Sequence, residues 1–239
     1  MGCKADRCLF LRWVKPERMF MESEKVITIE LDSPELKYLC SKDKRLGKVI
    51  ASIGPITYTQ RDDTDSYAFL VHEIIEQMLS IKAGKKIYLR LSELCNGEIN
   101  PQTISALSVE QLKGTGTSTA KATYIKCLTN DVLSGKLNLI NLKNESDSTV
   151  IKQLTSVRGI GTWTAKMFLL FILGRQDILP YEDGAFLQSY RWLYKDADCS
   201  PSAIKKKCKK WSPYSSIAAR YLYRALDMGL TKEEFHLFK

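Results

Sequence analysis

From Ser66 onward the apolar residues return every three or four positions. Tyr67, Leu70, Val71, Ile74 and Met78 mark one helix face, and this spacing predicts an amphipathic helix. Gly84 interrupts the pattern; Ile87, Leu91 and Leu94 carry a second helix to about Cys95. Asn100-Pro101 opens a short helix, and Ser108-Val109-Glu110-Gln111 has the form of a capping box. Gly114-Thr115-Gly116 is a turn, Thr117 to Leu133 is helical, and Asn138 to Asp147 is a polar loop. Val150 to Leu154 closes another helix before a turn at Val157 to Gly161. The stretch Trp163 to Leu173 is apolar on nearly all sides, which predicts a helix buried in the middle of a bundle. After a loop at Pro180 to Gly184 come helices over Ala185 to Tyr194, from Ser200-Pro201, and over Ile217 to Met228, with a break at Trp211 to Tyr214. Ahead of Ser66 the signals are fewer. Val26 to Ile29 reads as one short strand, Ser33 caps a helix with Pro34 at its first position, and Gly54-Pro55-Ile56 breaks the chain before a loop from Gln60 to Asp65.

Composition narrows the classes. At 239 residues the chain is one large domain or two modest ones, since a domain runs to roughly 100–200 residues. Hydrophobic residues at 44% and charged residues at 26% exclude global disorder. Lys and Arg exceed Asp and Glu by 36 to 27, a net +9, which favours an anionic partner without naming it. The seven cysteines (Cys3, Cys8, Cys40, Cys95, Cys127, Cys199 and Cys208) are scattered and contain no Cys-x-x-Cys, which argues against a disulfide framework, a zinc site or an iron–sulfur site and suits a reducing intracellular space. His72 and His236, the two histidines, read as surface or satisfied core residues. The longest apolar run, Met167 to Leu173, is far short of the roughly 18 residues of a membrane span. The N-terminus reads as neither a signal peptide, because Arg12 interrupts Cys8 to Leu11, nor a myristoylation site, because Asp6 stands where Ser or Thr is required.

One segment carries chemistry: Leu154-Thr155-Ser156-Val157-Arg158-Gly159-Ile160-Gly161-Thr162-Trp163-Thr164-Ala165. It reads as helix, Gly-x-Gly hairpin, helix. Backbone N–H groups after the hairpin would point outward at the start of the next helix, a seat for a phosphate. A tight helix–helix turn that uses glycine for packing explains Gly-Ile-Gly equally well. Twenty residues beyond Trp163 stands Asp183, in Leu179-Pro180-Tyr181-Glu182-Asp183-Gly184, at the start of a helix. An aspartate there is an N-cap, and a carboxylate is also favoured there by the helix dipole. The two roles are compatible.

With these residues in place, the stretch from about Leu46 to Leu230 resembles the helix–hairpin–helix DNA glycosylases, and most closely their alkylation-repair branch, 3-methyladenine DNA glycosylase II (AlkA-like). Four blocks in order carry the resemblance: Ile74 to Ser80 with Lys82-Ala83; Gly116 to Ala122; the hairpin with Trp163-Thr164-Ala165; and Trp211-Ser212-Pro213-Tyr214-Ser215-Ser216 running into Ala218 to Tyr221. The resemblance implies an all-α fold of two helical subdomains flanking a cleft. It divides the chain into an N-terminal extension, 1–32, disordered or holding a strand, and a glycosylase domain, 33–239, with its hairpin at 154–165. It implies a monomer that flips a damaged base, an alkylated purine above all, out of double-stranded DNA and hydrolyses its N-glycosidic bond. A silent DNA-binding protein, a glycosylase for oxidised or deaminated bases, and a helical protein-interaction domain are the other readings.

The resemblance also assigns residues. Asp183 falls on the catalytic aspartate. Relatives that also cut the backbone carry a Schiff-base lysine at the position held here by Trp163, so the expected enzyme is hydrolytic only. Trp163, Met167 and Tyr223 match the base pocket, though Trp163 also reads as a core aromatic and Tyr223 as a plain surface tyrosine. Gln77 and Met78 align with the wedge that fills the gap left by the flipped base, while Met78 equally continues its helix's core stripe. Gly159, Ile160, Gly161 and Thr162, with a second turn at Gly116, Ser118 and Lys121, match the backbone-contacting segments; Ser118 serves as well for a helix cap. No side-chain metal site or organic cofactor is expected. Carbonyls of Thr155 and Val157 match the family's seat for a monovalent cation, Na⁺ or K⁺. Lys205, Lys206, Lys207, Lys209 and Lys210 lie on one predicted helix opposite Ile204, Cys208 and Trp211, and read either as a solvated face or as attraction to the DNA backbone.

Overall fold

The computed structural model describes residues 25–60 and 66–237; the signal-peptide and myristoylation readings, and the loop over residues 61–65, lie outside them. The chain forms two compact units, one from residues up to Gln60 together with those from Gly174 onward, the other from Arg61 to Leu173.

In the first unit the expected strand is β1 (Lys25–Ile29), and it has a partner the hydropathy pattern hid. β2 (Ile56–Gln60) pairs with it antiparallel, Ile29 opposite Ile56 and Val26 opposite Thr59. Only Ile56 of β2 is buried, so the alternation is too weak to stand out behind Gly54-Pro55. The single helix expected after Ser33 is two, α1 (Pro34–Lys42) and α2 (Lys44–Ile53), because Asp43 leaves the helical conformation and caps α2 through Oδ1, which accepts from Arg45 N at 3.0 Å and Leu46 N at 3.3 Å. Its other oxygen, Oδ2, accepts from Trp211 Nε1 at 2.9 Å, from the Tyr194 hydroxyl and from Lys210 Nζ at 3.1 Å. Burial alone would raise the Asp43 carboxyl; the donors of Tyr194, Trp211, Lys210 and Leu46 outweigh it and hold the group below the ordinary carboxylate value.

The later helices of this unit are α10 (Gly184–Tyr194), α11 (Pro201–Cys208) and α12 (Ser215–Asp227). The expected lysine helix ends at Cys208, and Lys209–Trp211 continues as a 3₁₀ turn. Ile204, Cys208 and Trp211 are buried as the pattern predicts. Three of the five lysines have intramolecular partners: Lys207 pairs with Asp196, Lys210 with Asp43, and Lys205 lies over the Tyr181 ring at 4.6 Å. The serine-rich break before α12 is a clasp. Ser212 Oγ and Ser215 Oγ donate to Asp177 at 2.5 Å each, and Ser216 Oγ donates to the Arg175 carbonyl and accepts from Ile178 N.

In the second unit α3 (Ser66–Glu76), α4 (Ile81–Leu94), α5 (Pro101–Ser105), α6 (Val109–Gly114), α7 (Thr119–Leu133), α8 (Asp147–Thr155) and α9 (Thr162–Phe171) follow in order. α3 and α9 are buried on nearly every side, as the unbroken apolar run predicts for α9, and Phe69 meets Phe168 edge-on at 6.2 Å. Gly84 does not interrupt a helix. It lies inside α4, and a Cβ there would stand 2.7 Å from Glu76 Cγ, so glycine is what lets α4 approach α3. His72 is a satisfied core residue. Its ring lies 3.3 Å from Glu73 Oε1 and 3.4 Å from Glu76 Oε1 and meets Tyr88 edge-on. Burial would lower its pKa, and the two carboxylates outweigh burial and raise it.

The hairpin between α8 and α9 uses its two glycines differently. Gly159 has φ +94°, and a Cβ there would stand 2.3 Å from Tyr124 Cγ on α7. Gly161 has φ −98°, and nothing lies within 4 Å of where its Cβ would be.

Asp43→Ala removes a cap and leaves two buried donors without their acceptor, so it should cost roughly 2–4 kcal/mol in chemical denaturation. Because the Asp43 carboxyl is depressed on folding, its charge stabilises fully above the unfolded value near about 4 and stops doing so as pH falls through the lower folded value. Melting temperatures of wild type and Asp43→Asn should therefore converge only below about pH 4; a gap unchanged to about pH 2 contradicts this account. Gly159→Ala combines left-handed strain with a clash against Tyr124, and a loss of roughly 2–4 kcal/mol is expected in the same measurement.

Candidate functional site

In the second unit three segments distant in sequence converge. α3 ends at Glu76, so Met78 does not continue the core stripe. It sits on the short link to α4 with φ +58° and its side chain fully exposed. A left-handed non-glycine residue costs about 1–2 kcal/mol, so the link is held by its neighbours. Leu79 N donates to Glu76 O at 3.0 Å, and Ser80 Oγ caps α4 by accepting from Ala83 N. From α7, Lys121 Nζ donates to Ile75 O at 2.8 Å and Gln77 O at 2.6 Å. Gln77 turns its own side chain to the hairpin, where Nε2 donates to Gly159 O at 2.9 Å. The pair read together as wedge residues therefore divide: Gln77 braces and Met78 projects.

The hairpin presents its amides next to this link. Gly161 is the N-cap of α9 and brings no side-chain cap, so the amides of the first turn are offered to an incoming acceptor. Gly161 and Thr162 are exposed, Gly159 is half-buried and Ile160 is buried, packing the turn from beneath. The second expected turn has the same logic. Gly116 has φ +101°, Ser118 caps α7 by accepting from Lys121 N at 3.3 Å, and the buried hydroxyls of Thr115 and Thr117 lie 2.9 Å apart below. Ser118 is thus a cap, and the Lys121 ammonium is directed to protein carbonyls. Burial pulls the Lys121 ammonium below its ordinary value, opposed by the Glu76 carboxylate. The Val157 carbonyl accepts from Ile160 N at 3.1 Å in closing the hairpin; a carbonyl retains a second lone pair, so this oxygen still fits a cation's donor set.

Trp163 is half-buried in the first turn of α9, and Met167 is buried one turn on, the two sharing a helix face. Asp183 and Tyr223 belong to the other unit. Asp183 is 4% exposed and caps α10, Oδ1 accepting from Ala185 N at 3.0 Å and Phe186 N at 2.9 Å; its own N–H donates to Pro180 O. Two backbone amides thus fix the carboxylate's direction. Tyr223 is 1% exposed, which overturns the surface alternative. α12 is buried around almost its whole circumference from Ser215 to Tyr223, so a tyrosine there has no solvent-facing side to occupy. Arg220 of the same helix is buried with its guanidinium 3.8 Å from the centre of the Tyr58 ring. Burial lowers its pKa to about 10, against the opposing effect of Tyr58 and Tyr223, so it stays charged at neutral pH. The structural roles of Lys121, Gln77 and Tyr124 had no signal in the sequence, because each depends on a contact with a segment 35 or more positions away, Tyr124 to Gly159 being the nearest pair.

Among the described residues no group of three His, Cys, Asp or Glu side chains could hold a metal ion, and no helix is long and apolar enough to cross a membrane.

Comparison with known proteins gives this geometry its context. DNA-3-methyladenine glycosylase 1 of Schizosaccharomyces pombe is 29% identical over 218 residues, which cover 87% of this chain and 92% of that protein. The crystal structure of a DNA-3-methyladenine glycosidase from Bacillus halodurans superposes with a TM-score of 0.78 at 34% identity, covering 88% of this chain and 97% of that one. The S. pombe 3-methyladenine DNA glycosylase in complex with abasic DNA shares the fold, with a TM-score of 0.72 at 24% identity over 81% of this chain and 96% of that one. The family model of the HhH-GPD superfamily base excision DNA repair proteins matches residues 71–213, spanning the Met78 link, both turns, the hairpin and Asp183. The chain belongs to the HhH-GPD superfamily of base excision DNA repair proteins.

Proposed function

We propose that this protein is a monofunctional DNA glycosylase that removes alkylated purines from double-stranded DNA. The observation that carries the reading is Asp183: a buried carboxylate, aimed by two backbone amides, at the residue that the resemblance matches to the family's catalytic aspartate. The two relatives described above that exceed 25% identity are named as 3-methyladenine glycosylases, which supports the substrate class.

The backbone amides of Gly159, Gly161 and Thr162 hold a phosphate, the Ile160 amide being spent on the Val157 carbonyl, with Gly116 and Ser118 at a second contact. Carbonyls of Thr155 and Val157 would hold a monovalent cation, whose charge adds to the attraction of the hairpin for a phosphate. Met78 enters the stack at the vacated position, and the extruded base lies against Trp163 and Met167. Flipping costs a few kcal/mol, least at a damaged pair, so part of the selectivity arises before chemistry. An N-alkylated purine already carries positive charge. As the glycosidic bond breaks, its electron pair leaves with the base, which departs neutral. Positive charge builds on the deoxyribose, where the Asp183 carboxylate stabilises it. Water adds its oxygen to C1′ and loses a proton, with Asp183 orienting or accepting. No amine is needed, and Trp163 stands where lyases of the family carry one. The enzyme works as a monomer inside the cell.

Asp183→Asn tests the central claim, because asparagine caps a helix as well as aspartate and so preserves the fold. Base release from a methylated duplex should slow at least about 10²-fold with little change in melting temperature. Equal release by both proteins would sink the mechanism. Hydrolysis without a Schiff base also predicts that borohydride traps no protein–DNA adduct during turnover, visible as the absence of a shifted band on a denaturing gel.

A further inference from the structure

The Lys121 ammonium is aimed into the protein. It spans Ile75 O and Gln77 O, the two carbonyls that flank Glu76 at the end of α3, and this is one residue short of exposed Met78. Helix C-termini leave carbonyls without intrahelical donors, and a cation there is favoured both by hydrogen bonding and by the helix dipole. The carbonyl of Gln77 belongs to the peptide that leads into Met78, so fixing it restricts how Met78 enters its left-handed conformation. The Gln77 side chain then joins the same link to Gly159 O of the hairpin.

We propose that Lys121 is a positioning residue for the wedge: by clamping the carbonyls of Ile75 and Gln77 it holds Met78 extended at a set height beside the hairpin, and it does not bind phosphate. This rests on the glycosylase reading and deepens it. The Met78 link, α7 and the hairpin then act as one body, so the turn that grips the backbone also sets where the wedge enters. A long, unbranched methionine without such a clamp would sample other backbone conformations and fill the gap only part of the time.

The test uses a duplex with a tetrahydrofuran abasic-site analogue beside 2-aminopurine, whose fluorescence rises when the wedge unstacks it. No base release is required, so wild-type base release from methylated DNA judges the glycosylase reading separately. Wild type should raise the fluorescence, and Met78→Ala should not. Lys121→Met should lose at least about fivefold of the amplitude at saturating protein, while its Kd for undamaged duplex stays within about twofold; Lys121→Arg, which can also span two carbonyls, should restore at least about half. Should Lys121→Met fail to fold, Lys121→Gln, whose amide is neutral and one atom shorter, should lose about half the amplitude. Full amplitude in folded Lys121→Met or Lys121→Gln, or no rise with wild type, overturns the proposal. So does a log–log salt dependence of duplex binding shallower by about 0.9 in Lys121→Met, which would mark a phosphate ligand.

Discussion

The ring of Tyr124 leaves no room for a β-carbon at position 159, and the second unit's presented surface depends on that. With glycine there, the hairpin backbone lies against α7, its carbonyl comes within reach of Gln77, and α7 brings Lys121 to the end of α3. A side chain at position 159 would push the turn off the ring and separate three segments that hold one another. The atoms it would meet include Tyr124 Cβ and Cγ, which lie close to the α7 backbone, so the ring cannot swing clear without moving the helix. Gly161, two positions on, obeys no such constraint: its φ is ordinary and its surroundings are open. One glycine serves the fold, and the other leaves the helix terminus uncovered for a ligand.

Asp43 does comparable work in the first unit. A single buried carboxylate caps α2 and accepts from a tyrosine, a tryptophan and a lysine, so it joins α2, α10 and the turn after α11. Removing its solvation is costly, and full use of its lone pairs offsets that cost. Asp183 repeats the pattern on α10 with a different consequence. Its capping bonds orient a carboxylate that the chemistry needs, so the group required by the reaction also begins the helix that carries it. The clasp of Ser212, Ser215 and Ser216 on the 175–178 segment belongs to the same economy, with serine hydroxyls satisfying a loop that secondary structure leaves unpaired.

Long apolar periodicity made most helices legible in advance, and α9 most of all, because burial on every side leaves an unbroken run of apolar residues. Short elements were harder. β2 was invisible because one buried residue in five makes no alternation, and the break at Asp43 was hidden because a cap and a helix interior can share a letter. Gly84 was misread for a related reason. Glycine breaks helices on average, yet here the space it leaves is filled by Glu76 from a neighbouring helix. Tyr223 lies off the arc of Ile217, Tyr221 and Ala225, but an arc has meaning only when one side of a helix faces water, and α12 has almost no such side.

The linear order of residues by itself determined the helical class, the Gly-x-Gly hairpin, the cap at Asp183 and the spacing between them, because these follow from local backbone preferences that neighbouring residues set. Tertiary structure alone decided which residue of Gln77-Met78 projects, that Lys121 turns inward, and why Gly159 cannot be anything else. Each of those outcomes is settled by a hydrogen bond or a steric contact between segments far apart in the chain, and no local preference carries information about who that distant partner is.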